Sequence, residues 1–191
     1  MGTSVSHRSP PTSNWKSVAA AYTSSRIPID RAIKEIWRAA TNQPSGDLAK
    51  DLSKPIISKC LNIALSATTA QRAFQESSKH IALSGQSSLA ADIAQRAVVK
   101  SSGARIDRTA AFVQSLFSEA ADYLVSRDIS GFIGIGDRLN SVTDSIIFKD
   151  KVRTRVAQIV RGIPRPSRLQ DDPVNWKKYV ETVISVLKKS Q

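Results

Sequence analysis

The stretch DRTAAFVQSLFSEAADYL, residues 107–124, decides the fold class. Its apolar residues Val113, Leu116, Phe117, Ala120 and Leu124 recur three and four positions apart. That spacing puts them on one face of a helix, whereas a half-buried strand would alternate every second residue. Asp107 stands where an N-cap is expected, with a short side chain able to accept from the first free backbone N–H groups. The result is a long amphipathic helix that must find other helices to cover its apolar face.

Working outward, the same period recurs. Pro28 precedes Ile29, Ile33, Ile36, Trp37 and Ala40, with Arg31, Lys34, Glu35 and Arg38 turned elsewhere. Asn42-Gln43-Pro44-Ser45-Gly46 ends that helix. A second begins near Ser53, with Pro55 in its first turn, and runs to about Phe74 or beyond. Its expected buried stripe is Ile57, Cys60, Leu61, Ala64 and Thr68. After Gly85, Ser87 or Ser88 caps a helix carrying Leu89, Ile93, Ala94, Ala97 and Val98. A glycine-rich apolar loop, Ile129 to Gly136, separates the 107–124 helix from a long one over roughly Leu139–Arg161. Its apolar arc is expected to include Val142 and Ile146. Gly162, Pro164 and Pro166 open a basic linker containing Arg165 and Arg168. Asp171 or Asp172, followed by Pro173, starts a last helix with Trp176, Val180, Val183, Ile184 and Leu187 inward. A further short helix is expected over residues 15–22. The expectation is an all-α, single-domain bundle of about six helices over 14–191, preceded by a disordered polar tail over 1–13.

Composition agrees. The chain has 191 residues, 41% of them hydrophobic, enough for one core, while only 6% are aromatic and β-branched runs are short. No window approaches the roughly 18 consecutive apolar residues of a membrane span. The start has no apolar h-region of a secretory signal. The single Cys60 excludes an internal disulfide and a cysteine-based zinc cage. These features point to a cytoplasmic protein. The net charge of +12 is uneven. Residues 1–60 carry 9 Lys/Arg against 4 Asp/Glu, residues 61–147 carry 8 against 8, and residues 148–191 carry 11 against 4. Basic ends of this kind suit nucleic acid, an anionic membrane surface or an acidic partner.

Catalytic signatures are missing. Gly131, Gly134 and Gly136 do not follow the spacing of a dinucleotide or phosphate loop, and no Gly-Lys-Ser/Thr follows them. His7 and His80 lack carboxylate or cysteine partners at ligand spacing. Cys60 lies on an apolar stripe, where a free cysteine behaves as a small hydrophobe. The abundant serines form no G-x-S-x-G elbow. The candidate contacts for an anionic ligand are Lys149, Lys151, Arg153, Arg155, Arg161, Arg165 and Arg168. On the long helix they divide, with Lys151 and Arg155 on one flank and Lys149 and Arg153 on the other. A groove-reading helix presents one coherent polar face. Contact with a phosphate backbone, independent of sequence and sensitive to salt, stays open.

The remaining chemical site is the start, Met1-Gly2-Thr3-Ser4-Val5-Ser6. Removal of Met1 leaves Gly2 with a free α-amine ahead of the polar, proline-bearing run Ser9-Pro10-Pro11-Thr12-Ser13. An α-amine has a pKa of about 7.7–8.0 against about 10.4 for lysine, so a useful fraction is an uncharged nucleophile at neutral pH. Glycine adds no side-chain clash there. Gly2 with Ser6 also fits N-myristoylation, giving a peripheral membrane protein if a second basic signal supports the single acyl chain.

The opening Met1-Gly2-Thr3-Ser4-x-Ser6, then Pro10, Pro11 and Trp15, resembles that of the QatB-type small proteins of bacterial Qat anti-phage modules. The resemblance covers about the first fifteen residues. It departs from the family where His7-Arg8-Ser9-Pro10-Pro11 replaces a glycine-rich run. It implies that a QueC-like partner uses ATP to join a 7-deazaguanine base, drawn from its precursor, to Gly2. Thr3, Ser4 and Ser6 would be the segment entering that partner's active site. An operon-encoded ATPase or nuclease effector would be a further partner. On this expectation the chain is not an enzyme and has no cofactor of its own. The nucleic-acid-binding protein and the myristoylated membrane protein remain the alternatives.

Overall fold

Helix boundaries in the computed structural model follow from capping chemistry as much as from apolar period. The structure describes residues 28–41, 48–86, 88–105, 107–129 and 142–190. Eight helices occur among them: α1 (Ile29–Thr41), α2 (Leu48–Leu52), α3 (Pro55–Ser66), α4 (Ala70–Ser84), α5 (Leu89–Ser101), α6 (Arg108–Ile129), α7 (Val142–Arg161) and α8 (Pro173–Lys189). No strand appears among the described residues. The helices form an all-α, single-domain bundle. The tail over 1–13, the helix expected over 15–22, the turn at 42–46 and the glycine-rich loop at 131–136 lie outside the described residues.

The bundle holds more helices than the apolar period separates, for two local reasons. The five-residue α2 is too short to show a period, yet it buries Leu48 and Leu52. The helix expected to run from Ser53 past Phe74 is two helices. Thr69 takes an extended conformation (φ −134°, ψ 155°) and its hydroxyl accepts from the backbone N–H of Arg72 at 3.2 Å. A side chain that caps so well competes with continuation of the helix. Thr68 therefore falls in the break and is exposed, not part of the buried stripe, whereas Ile57, Cys60, Leu61 and Ala64 are buried. The C-terminus of α3 is closed from afar, where Arg108 Nη1 donates to the carbonyls of Leu65 (3.1 Å) and Ala67 (3.0 Å). A guanidinium satisfies orphan carbonyls and opposes the negative end of the helix dipole.

Other ends follow the sequence. Gly85 terminates α4 at φ +64°, in the left-handed region that glycine adopts without steric cost. Ser88 caps α5 by accepting from Ala91 N–H, and Asp107 caps α6 by accepting from Ala110 N–H at 2.9 Å. Asp172 is the cap of α8 and accepts from Val174 N–H at 2.7 Å, with Pro173 in the first turn.

Helix α6 is the centre and packs against α1, α3, α5 and α7. Phe112, Val113, Leu116, Phe117, Ala120, Ala121, Leu124 and Val125 are all buried along it. Two tryptophans join the layers: Trp37 of α1 meets Phe117 at 5.9 Å between ring centroids, and Trp176 of α8 meets Phe112 at 6.2 Å. Helix α7 presents a different face from the expected one. Phe148, Val152, Val156 and Val160 are buried, while Ile146 is 52% exposed. A four-residue step carries the inward stripe, and the expected arc through Ile146 lies outside it. The linker after α7 is pinned to the core by Ile163 and Leu169.

Candidate functional site

Three cations of α7, Lys149, Arg153 and Arg155, are held by carboxylates of neighbouring helices. Lys149 Nζ lies 3.5 Å from Asp122 of α6. Arg153 Nη2 donates to Glu119 of α6 at 3.1 Å, and its Nη1 lies 3.8 Å from Asp150. On the opposite flank Arg155 forms a two-pronged pair with Asp30 of α1, Nε to Oδ1 at 2.6 Å and Nη2 to Oδ2 at 2.7 Å. That hydrogen-bonded carboxylate raises the Arg155 pKa further above its ordinary value. In the linker Arg165 pairs with Asp107, the cap of α6. Lys151, Arg161 and Arg168 are exposed, and Arg168 adopts a left-handed backbone with φ +55°. The structure thus spreads the seven expected anion contacts over two flanks of α7 and the linker. At least four of them, Lys149, Arg153, Arg155 and Arg165, bridge to carboxylates of the chain itself. Gly2, Thr3, Ser4 and Ser6 lie outside the described residues.

A polar cluster sits in a cleft of about 460 Å³ bordered by α5, α6 and α7. Its centre is Glu119, whose side chain is only 6% exposed. Glu119 Oε1 accepts from Lys100 of α5 as well as from Arg153 of α7. One buried carboxylate therefore ties three helices. Ser118 Oγ adds a bond to the Arg153 carbonyl at 3.1 Å. Lys100 and Arg153 balance Glu119 and Asp150, so the lining charges sum to zero. Glu119 stands three residues after Leu116, on the helical period of the buried face of α6, and a charged residue at such a position is the sequence signal that marks this hub.

Cys60 and His80 are both engaged by the bundle. Cys60 is fully buried, and desolvation pushes its thiol up to about 12. The thiolate is the reactive form, so Cys60 stays inert at neutral pH. His80 Nε2 lies 3.4 Å from the Ile56 carbonyl, a contact within the bundle. Among the described residues no three His, Cys, Asp or Glu side chains gather to hold a metal ion. No helix among them is long and apolar enough to cross a membrane.

No family model, curated protein or solved structure matches this chain.

Proposed function

We propose that this chain is a substrate rather than a catalyst: the acceptor component of a bacterial anti-phage module, modified on Gly2 by a QueC-like enzyme. The observation that carries the proposal is the opening Met1-Gly2-Thr3-Ser4, which offers a small, low-pKa amine. Two groups of the described body have their chemistry fixed by the fold. Its most buried carboxylate, Glu119, is engaged by two cations, and its one thiol is held protonated by burial. Under this reading the partner supplies ATP and the 7-deazaguanine precursor. The bundle serves as the rigid mass that docks the partner or an ATPase or nuclease effector. The protein works in the cytoplasm.

The test is intact-mass spectrometry of the full chain co-expressed with its gene neighbours. The expected product has lost Met1 and gained one deazaguanine-type group, located on Gly2 by fragmentation. A Gly2→Pro variant, with no primary amine at its start, should stay unmodified. Retained Met1 or a bare glycine overturns the proposal, and a myristoyl mass replaces it with the membrane-anchor reading.

A further inference from the structure

The clefts of this bundle differ in charge, and that difference points to a ligand. Among the described residues the charges lining the α5–α6–α7 cleft cancel. A second cleft, of about 520 Å³, opens between α8 and the α1–α2 corner. Thr41, Lys50, Ser53, Lys177, Glu181 and Lys188 line it, over a floor that includes Ala49 and Ile184. Among the described lining residues Lys177 and Lys188 of α8 stand beside one glutamate, Glu181, with Lys50, itself engaged within the chain, on the facing wall. Glu181 offsets little of the lysine charge, because it reaches Lys177 only at 4.0 Å and both side chains are about 60% exposed, at 63% and 60%.

The lysines of α8 are arranged along its axis. Lys177 and Lys188 are eleven residues apart, hence about 16 Å along the helix, and fall within about 20° of each other around it. Lys178 and Lys189 repeat that offset on the adjacent exposed strip. The opposite face of α8, with Trp176, Val180, Val183 and Leu187, is buried, so both rows are held to solvent by the packing of the helix. One small anion cannot reach both ends of such a row. A chain of phosphates can, since each strand of a duplex carries one about every 3.4 Å.

We infer that the α8 lysine rows and the cleft beside them bind the phosphate backbone of nucleic acid without reading its sequence. The row geometry is what favours a run of phosphates: the lysine ammonium groups meet phosphate oxygens as point charges, and they are spread about 16 Å along α8. The described lining residues include no aromatic ring, so the contact expected there is one of charge, to single and double strands alike. This site is separate from the α7 and linker cations, and it does not depend on the fate of Gly2.

Fluorescence anisotropy of the unmodified full chain tests it, using a duplex oligonucleotide, its single strand and polyglutamate over a salt series. Wild type should bind both nucleic acids at low salt, and polyglutamate at least about ten-fold more weakly. Lys177→Gln/Lys178→Gln/Lys188→Gln/Lys189→Gln should weaken duplex binding about ten-fold or more. It should also lower the slope of log K against log salt by about 0.9 for each lysine that contacts a phosphate. The control Lys79→Gln/Arg96→Gln removes exposed charge from α4 and α5 and should stay within about two-fold of wild type. Circular dichroism melts confirm that both variants fold. No binding at low salt, equal binding of polyglutamate, or equal losses in the two variants overturns the inference. So does a loss confined to Arg161→Gln/Arg168→Gln, which would move the contact to the linker.

Discussion

Arg155 grips Asp30 with both prongs of its guanidinium, at 2.6 and 2.7 Å, across 125 residues of sequence. The pair fastens α7 to the first turn of α1, with Asp30 only 15% exposed and Arg155 40% exposed. Partial exposure limits its worth by solvent screening, and two-pronged geometry raises it. A double-mutant cycle of Asp30→Asn and Arg155→Gln, read by urea denaturation, should give a coupling of about 1–2 kcal/mol. Arg155→Lys keeps the charge but not the fork, so it should lose most of that coupling. Full retention in the lysine variant would reduce the pair to a generic charge contact.

Glu119 predicts a larger effect from a single position. Its carboxylate is buried and receives Lys100 from α5 and Arg153 from α7. Glu119→Ala leaves two cations facing each other across a small void. Both are partly exposed, at 45% and 34%, and rehydrate in part, which holds the cost to about 2–3 kcal/mol. Glu119→Gln keeps the volume and an acceptor oxygen and should cost less. Lys100→Gln, at the wetter partner, should cost least. Chemical denaturation of the three variants checks the order, and a reversed order between Ala and Lys100→Gln would remove Glu119 from the centre of the network.

How much of this was legible in the sequence depends on the range of the interaction. The inward faces of α6 and α8, and the caps Ser88, Asp107 and Asp172, could be read because helical period and capping act within a few residues. The α3–α4 break was hidden, since apolar residues continue across Thr68 and Thr69 and only the capping hydroxyl stops the helix. The inward face of α7 was misread because Ile146 and Ile147 are apolar yet exposed, at 52% and 47%. Charge counting found the cations of α7 but not Asp30, Glu119 and Asp122, since an ion pair between distant helices has no sequence spacing. The lysines of α8 stand in the sequence, but no sequence signal groups them into a site, because α2 forms the other wall of their cleft.

Stability should fall in alkali, for a reason placed in the core. Burial raises the Cys60 thiol from 9.0 to about 12, and burial raises the Tyr179 phenol from 10.0 to about 12 although Arg165 partly opposes it. The native state then holds protons that the unfolded chain releases, so the slope of stability against pH is negative. The full contribution is present below pH 9 and is lost progressively as pH rises from 9 towards 12. Thermal melts across this range should show a steady decline in Tm. Cys60→Ala should flatten its lower part, between the onset for the thiol and that for the phenol. An unchanged profile in that variant would assign the decline to other groups.

Trp176 and Trp37 separate packing from hydrogen bonding in one core. Both rings are fully buried and each stacks at a tilt on a phenylalanine of α6, at 6.2 Å and 5.9 Å. Their indole N–H groups differ. Trp176 Nε1 donates to the Leu52 carbonyl at 3.0 Å, joining α8 to the end of α2, whereas Trp37 Nε1 has no acceptor among the described residues. Substitution by Phe removes a similar volume from both sites, so the cavity costs should nearly cancel. Trp176→Phe also strands a buried carbonyl, whereas Trp37→Phe removes a buried N–H without such an acceptor. The first variant should therefore be less stable than the second by about 1–2 kcal/mol. Its α2 amides should also exchange faster with solvent, because the bond to α8 is what fastens that five-residue helix. Equal unfolding free energies and equal exchange would show that α2 is held by Leu48 and Leu52 alone.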